Sequence, residues 1–454
     1  MTGILDREEL ERLIFEGNID TVLVCFPDMQ GRLVGKRVTG RFYIEEVQRE
    51  MHVCDYLLAV DMEMEPVPGF KAASWDRGYG DFAVRPDPKT LRRIPWLEGT
   101  ALVIGDCVDH CGDDLPHAPR SILKRQLARA NAAGFTVKMG SELEFYLFDE
   151  TYEEVVAKRY ENLKTAGEYI EDYHIFQTTK EEDLIRAVRN GMEGAGVPVE
   201  FSKGEWGPGQ EEINLRYAEA LQMADRHSIY KNGLKEMAWQ RGKSVTFMAK
   251  WREDLAGNSC HIHSSLWRLE DGTPAFPGTN DANDWSETFQ NYLAGQVALA
   301  RDMTLFLAPY INSYKRFQSG SFAPTKTVWS RDNRTAGFRV IGSSAGLRVE
   351  NRLPGADVNP YLAFAATVAA GLYGIEKGLS PMGEAMGNIY EQADAVDVPL
   401  TLREAIIALE LSEPMRMAFG EDVVEHYLHA ARWEQSEYDR RITDFELKRN
   451  FERS

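Results

Sequence analysis

An α+β fold is predicted for this chain by three features. Residues 135–148 alternate strictly, with Phe135, Val137, Met139, Leu143, Phe145 and Leu147 on one face and Lys138, Glu142 and Glu144 on the other. Shorter alternating runs recur at 244–249, 261–267, 337–340 and 347–352. Helical stretches at 119–134, 180–194 and 218–242 fall between them. Strands with one apolar and one polar face suit an antiparallel sheet that buries one side under helices.

The remaining elements follow in order. Up to about residue 105 the pattern is that of a small α+β unit, with a helix over 6–16 and strands over 21–26, 33–38 and 101–105. The turn Pro27-Asp-Met-Gln-Gly31 joins the first two strands, and Arg85-Pro-Asp-Pro-Lys89 interrupts regular structure. A second region starts near Pro116, and Pro119 suits the first position of a helix. Residues 151–185 are charged and tyrosine-rich, which predicts a surface excursion. The longest apolar run, Tyr361 to Tyr373, is too short to span a bilayer and rich in Ala and Gly, so it predicts a buried helix. The tail from about 380 is acidic and helical.

Bulk properties restrict function. With 454 residues, 43% hydrophobic and 27% charged, the chain is ordinary globular protein with room for two or three domains. A net charge of −19 argues against a nucleic-acid partner, which needs a basic surface. No basic segment followed by an apolar stretch opens the chain, and the five scattered cysteines suggest reduced thiols, so a cytoplasmic setting is expected. Cys107, His110, Cys111 and His117 match no paired-cysteine zinc pattern and are expected to be a loop with incidental thiols.

Six side chains are candidate metal ligands. Glu142 and Glu144 point the same way from one strand; they would repel unless cations neutralise them, although a solvated strand face is an equal alternative. Glu205 and Glu212 flank a Gly-Pro-Gly turn that can return both to one ion, or can simply be a hairpin with surface acids. His261 alternates with His263, Ser265 and Trp267 after a flexible glycine-containing loop. One imidazole among carboxylates suits a divalent metal that also meets phosphate. Arg348, Glu350 and Arg352 alternate on one face, as an ion-pair ladder or as a meeting point of metal, phosphate and carboxylate. Arg316, Arg334 and Arg339 complete a local basic focus. No Walker-type phosphate loop is present, since the Gly204–Gly209 string lacks the lysine and the following helix.

Taken in order, these segments resemble the glutamine synthetase superfamily. The resemblance rests on Glu-x-Glu at 142–144, Gly-Gln-x-Glu at 209–212, His-x-His at 261–263, Asn312-Ser-Tyr-Lys-Arg316, Asn333-Arg-Thr, Arg-x-Glu-x-Arg at 348–352 and Asn359-Pro-Tyr-Leu-Ala-Phe364. It implies an N-terminal β-grasp domain over 1–108 and a catalytic domain of curved antiparallel sheet with helices over 109–454. It also implies homo-oligomers of two stacked hexameric rings with active sites between subunits. ATP is the implied co-substrate and Mg2+ or Mn2+ the implied cofactor.

By position, Glu144, Glu205 and Glu212 would hold one metal, and Glu142, His261 and Glu350 the other. Arg316 and Arg352 would grip glutamate and the transferring phosphate, with Gly257 on the glutamate backbone. Arg334, Arg339 and Arg348 would serve the nucleotide, alongside Tyr217, His263 and Ser265. The implied activity is phosphorylation of the glutamate side-chain carboxylate, followed by attack of an amine on the acyl phosphate.

Two departures concern the amine. The flap carboxylate that helps hold ammonium in glutamine synthetases is Phe322 here, preceded by Ser321 where an aromatic is usual. The familiar Asn-Gly-Ser-Gly loop is Ala256-Gly-Asn-Ser259. Asp55 is the candidate acid of the N-terminal domain near the amine. Phenylalanine removes a cation partner and adds apolar surface, which favours a primary amine with a carbon skeleton over ammonium. The chain is therefore most similar to the γ-glutamyl-amide branch, and within it to bacterial γ-glutamylethanolamide synthetases. The alternatives are a polyamine ligase, an ammonium-using enzyme, or a silent regulatory or structural member of the family. The silent member is disfavoured by the intact set of six ligands.

Overall fold

The computed structural model describes residues 3–75, 78–279 and 284–454. The architecture is α+β, built around two sheets. Helix α1 (Arg7–Phe15) starts where the Asp6 carboxylate accepts the Glu9 amide at 2.8 Å, satisfying a free donor of the first turn. The first sheet comprises β1 (Thr21–Pro27), β2 (Leu33–Thr39), β3 (Met51–Cys54), β4 (Asp81–Pro86), β5 (Arg92–Arg93) and β6 (Thr100–Val108). Its order is β2-β1-β6-β4-β3, with β5 also on β6; β1 and β6 run parallel and the other pairs antiparallel. Both faces of β1 and β6 are apolar. Val22, Val24, Ala101 and Val103 pack with Leu10 and Leu13 of α1, while Leu23, Cys25, Leu102 and Ile104 join the main core.

The second sheet is centred on β7 (Phe135–Phe148). It continues through β8 (Val199–Gly204), β9 (Gln210–Leu215), β10 (Ala218–Glu219), β11 (Ser244–Thr246), β12 (Cys260–Arg268), β13 (Trp329–Arg331), β14 (Phe338–Ile341) and β15 (Arg348–Asn351). The order is β13-β14-β15-β12-β7-β9-β8, with β10 and β11 also pairing β7. Every pair is antiparallel except β13–β14. The apolar face of β7 lies against α2 (Pro119–Ala132) and α4 (Ala220–Trp239), with α3 (Glu182–Gly194) beside α4. Farther out, α5 (Glu287–Ala298) packs on α6 (Pro360–Lys377), the apolar run expected to be a core helix. Among the described residues no helix is long and apolar enough to cross a membrane.

Polar links hold the first sheet to the second. Arg120 of α2 is buried and pairs with Asp87 at 2.7 Å, with Asp106, and with Asp225 of α4 at 3.1 Å. The Asn359 side-chain amide donates to the carbonyls of Asp28 and Met29 at 3.1 and 3.0 Å.

One expectation is corrected. Residues 151–185 are not simply a surface excursion, because Glu171, Gln177 and Glu181 are buried. Their polarity suggests a solvated segment, but the acids turn inward towards one another and towards β9.

Candidate active site

Strand register assembles the site. On β7 and β12, Glu142 stands opposite His261 and Gly140 opposite His263. On β7 and β9, Glu144 stands opposite Glu212; on β15, Glu350 stands opposite His263 and Arg339. Residues in register, and those two apart, share a face of the sheet. Glu142, Glu144, Glu212, His261, His263, Glu350 and Arg339 therefore project together, away from the helices. Most of them line a cavity of about 1010 Å³, which also receives Gly257, Ser321, Phe322, Arg334 and Arg352.

At one end, Glu144, Glu205 and Glu212 place ligand atoms within 4.8 Å of one another. The turn at Gly207-Pro-Gly209 makes this possible: Gly209 takes φ +70°, and the Glu205 amide donates to the Gln210 carbonyl at 2.7 Å. The Glu144 carboxylate accepts the Ser259 amide at 2.7 Å. Burial and the charge of Glu205 push its pKa up to about 8. Glu212 is driven well above the carboxylate range by burial and by Glu205 and Glu142. Lys203 forms an ion pair with Glu205. The buried carboxyls of Glu144 and Glu212 hold protons unless a further cation neutralises them.

At the other end, Glu142 meets both histidines, His263 Nε2 at 2.8 Å and His261 Nδ1 at 3.2 Å. Burial opposes its charge, but the imidazoles hold its carboxyl well below the usual range. Glu350 is gripped by Arg352 at 2.6 Å and Arg339 at 3.0 Å. Its pKa falls to about 2 despite burial, owing to Arg352, His261 and His263. Burial and Arg352 lower His261 to about 4, which keeps the ring neutral and able to ligate. Glu142, Glu212 and His261 lie within ligating distance of one another, as do Glu142, His263 and Glu350. These hard oxygens with imidazole nitrogen fit divalent ions such as Mg2+ or Mn2+.

A second cavity of about 370 Å³ adjoins the first through Glu142 and Asn214, and gathers Tyr217, His263, Ser265 and Arg348. Arg348 Nε stands 3.1 Å from His263 Nδ1 and donates to it, while Nε2 of the same ring lies 2.8 Å from Glu142. Arg316 is fully buried beneath the main cavity. It reaches Ser259 Oγ at 3.2 Å and the carbonyls of Arg352 and Leu353. A Cβ on Gly257 would stand 2.6 Å from Arg316 Cγ and 2.5 Å from the Ala249 carbonyl, so only glycine lets these groups pack against the loop.

At the mouth, Phe322 takes φ +58° and is 51% exposed. It meets Trp206 edge-to-face at 6.3 Å between ring centroids. A positive φ is rare for an aromatic residue and marks a backbone held in place by its surroundings.

The matching family is glutamine synthetase, catalytic domain, over residues 116–450. The chain belongs to the glutamine synthetase family. It is 51% identical to a γ-glutamylethanolamide synthetase of Streptomyces coelicolor, with 100% of this chain and 97% of the relative aligned. It is 37% identical to a glutamate–isopropylamine ligase of a Pseudomonas species, over 95% of each. Among solved structures, ligand-free GmaS superposes with a TM-score of 0.85 at 29% identity, covering 97% of this chain and 98% of that one. The protein is an ATP-dependent carbon–nitrogen ligase.

The expected ligands meet, but His261 groups with Glu142 and Glu212 while Glu350 groups with Glu142 and His263, instead of all in one trio. Four further placements differ from expectation. Arg316, expected to grip glutamate and the transferring phosphate, is buried and lines neither cavity, its guanidinium being taken by Ser259 and backbone carbonyls. Asp55 opens a short helical turn after β3 and lines neither cavity of its own chain. His263, expected beside the nucleotide, also stands in the carboxylate cluster. Arg348 turns to His263, so the ladder on Glu350 is made by Arg352 and Arg339. Lys203 and Trp206 escaped the sequence-based list. Lys203 lies two residues from Glu205, a spacing that signals a shared strand face.

Proposed function

We propose that this ligase joins the γ-carboxylate of glutamate to a small monoamine, with ethanolamine as the leading acceptor. The observation that carries this reading is the Phe322–Trp206 pair at the mouth of the ligand-lined cavity. It offers apolar surface where ammonium would need a carboxylate. The named activities of the S. coelicolor and Pseudomonas relatives support a small alkylamine. A polyamine would need further acids for its distal charge. Glu253 and Asp254 line the same cavity, but Asp254 is paired with Arg252 at 2.6 Å, which weakens that second reading.

In this reading, Glu144, Glu205 and Glu212 hold one divalent ion, and Glu142, His261 and Glu350 hold another. Such ions, when bound, neutralise charge on the ATP phosphates and the carboxylate. Arg352 and Arg339 stand where charge builds on the transferring phosphoryl group, and Arg334 adds a third cation from the cavity wall. Gly257 presents its backbone to the glutamate from the cavity wall, and buried Arg316 packs against the loop beneath it. Tyr217, Ser265 and Arg348 frame the nucleotide cavity. The amine attacks in its neutral form, so an anionic base belongs beside it. Asp55 of a neighbouring copy takes that role in a ring-shaped homo-oligomer, two stacked hexamers, whose sites lie between subunits. A β-grasp unit over 1–108 and a catalytic unit over 109–454 follow from the same reading. The unbridged cysteines fit a cytoplasmic setting.

The test is ADP release with glutamate and a panel of ammonium, ethanolamine, isopropylamine and putrescine. Ethanolamine is expected to give the highest kcat/KM. Full turnover with ammonium and none with alkylamines would overturn the proposal.

A further inference from the structure

The sheet that presents the ligands on one face buries a second group of carboxylates on the other. Glu211 lies between Gln210 and Glu212 on β9, so its side chain leaves the sheet opposite to Glu212. Glu171 and Glu181 meet it there, and one oxygen of each lies within 4.8 Å of the others. All three residues are buried, with Glu171 and Glu211 at 0% exposure.

Glu171 Oε1 accepts the Gly209 amide at 2.7 Å. Four further oxygens, Glu171 Oε2, Glu181 Oε2 and both of Glu211, are buried and find no N–H or cationic donor among the described residues; the Glu181 and Glu211 carboxyls lie close enough to share a proton. The nearby lysines are engaged elsewhere: Lys180 donates to Gln177 at 2.9 Å and Lys243 pairs with Asp149 at 2.7 Å. The backbone is shaped to admit the carboxylates. A Cβ on Gly167 would stand 1.3 Å from Glu171 Oε1, and one on Gly204 would stand 2.8 Å from the Glu171 carbonyl. Three buried acids without a cationic side chain are a poor way to stabilise a core. As a set of converging hard oxygens they suit a cation.

We propose that Glu171, Glu181 and Glu211 bind a structural divalent cation of the oxygen-preferring kind, Ca2+ or Mg2+, separate from the catalytic cavity. The ion ties the 171–181 segment to β9. That segment supplies Tyr173, Ile175 and Thr178 to the cavity wall, and β9 supplies Glu212. The site thus holds this part of the cavity wall against the strand that carries Glu212.

The test counts ions on the full chain. Chelator-treated protein is dialysed to equilibrium against Ca2+ or, in parallel, Mg2+, and bound metal is measured by plasma mass spectrometry. Glu211→Gln and Glu181→Gln are each expected to hold one ion fewer per chain than the wild type. A Glu144→Gln/Glu350→Gln protein is expected to keep an ion that adding Glu211→Gln removes. The same ion should raise the Tm of the double variant by more than that of the triple variant. Equal ion counts in the wild type, Glu211→Gln and Glu181→Gln, in both metals, would assign the cluster to shared protons and overturn the proposal. If Glu211→Gln does not fold, Glu181→Gln alone decides by the same count.

Discussion

Removing the aromatic rim should change which amine is used without disturbing glutamate activation. Phe322 and Trp206 are 51% and 52% exposed, so each offers about half its surface to an incoming carbon skeleton. Ethanolamine brings two methylenes, and each buried methylene is worth about 0.8 kcal/mol. Shared between the two rings, the contact amounts to about 1.6 kcal/mol. At about 1.36 kcal/mol per factor of ten, losing half of it costs about 4-fold and losing all of it about 15-fold in kcat/KM. Phe322→Ala is therefore predicted to lower the ethanolamine-to-ammonium selectivity about 4-fold, and Trp206→Ala/Phe322→Ala about 15-fold. The KM values for ATP and glutamate should hold within about 2-fold, because neither ring touches Gly257, Arg316 or the nucleotide cavity in the contacts described. The assay is coupled ADP release with each amine varied at saturating glutamate and ATP. A double variant whose selectivity matches the wild type, or whose ethanolamine and ammonium rates fall in parallel, would refute the reasoning.

Other perturbations test the ligand set. Glu350→Gln should lower kcat by at least about 100-fold, since it weakens charge stabilisation at the phosphoryl group. It should also lower Tm, because Arg339 and Arg352 lose the anion they share. Gly257→Ala should raise the glutamate KM by about 10-fold or more with the circular dichroism spectrum retained, as the new methyl displaces Arg316. A pH series reads the carboxylate cluster. The pKa of Glu144 is raised to about 8, so the metal-free folded state binds more protons than the unfolded chain between pH 5 and 8. This contribution to stability is complete below the unfolded carboxylate pKa and is lost as pH rises towards 8. An ion that displaces the proton binds more tightly over the same interval, so the Tm increment given by Mg2+ over chelator should grow from pH 5 to pH 8. An increment that shrinks with pH would contradict the assignment.

Much of the site was legible because strand alternation encodes a face. Glu142 with Glu144, His261 with His263, and Glu350 with Arg352 could be paired from spacing alone. Spacing does not encode register, so nothing local brought Glu212 opposite Glu144 or Arg339 opposite Glu350. The same gap hid the partner of Arg348, which lies on a different strand. The 151–185 segment is largely exposed, as its polarity predicts, but a few of its acids turn inward. Glu171 and Glu181 are buried against each other, Glu211 and the backbone around Gly204 and Gly209, a long-range arrangement that composition cannot express. Asp55 could be placed after a strand of the first sheet, and it lines neither cavity.

The central claim is that glutamate is activated as an acyl phosphate and captured by an amine. It is tested most directly with glutamate carrying 18O in both γ-carboxylate oxygens, turned over with ATP and ethanolamine. One labelled oxygen is expected in each released phosphate, with the other retained in γ-glutamylethanolamide. Unlabelled phosphate, or labelled phosphate with glutamine formed from trace ammonium and no ethanolamide product, would contradict it.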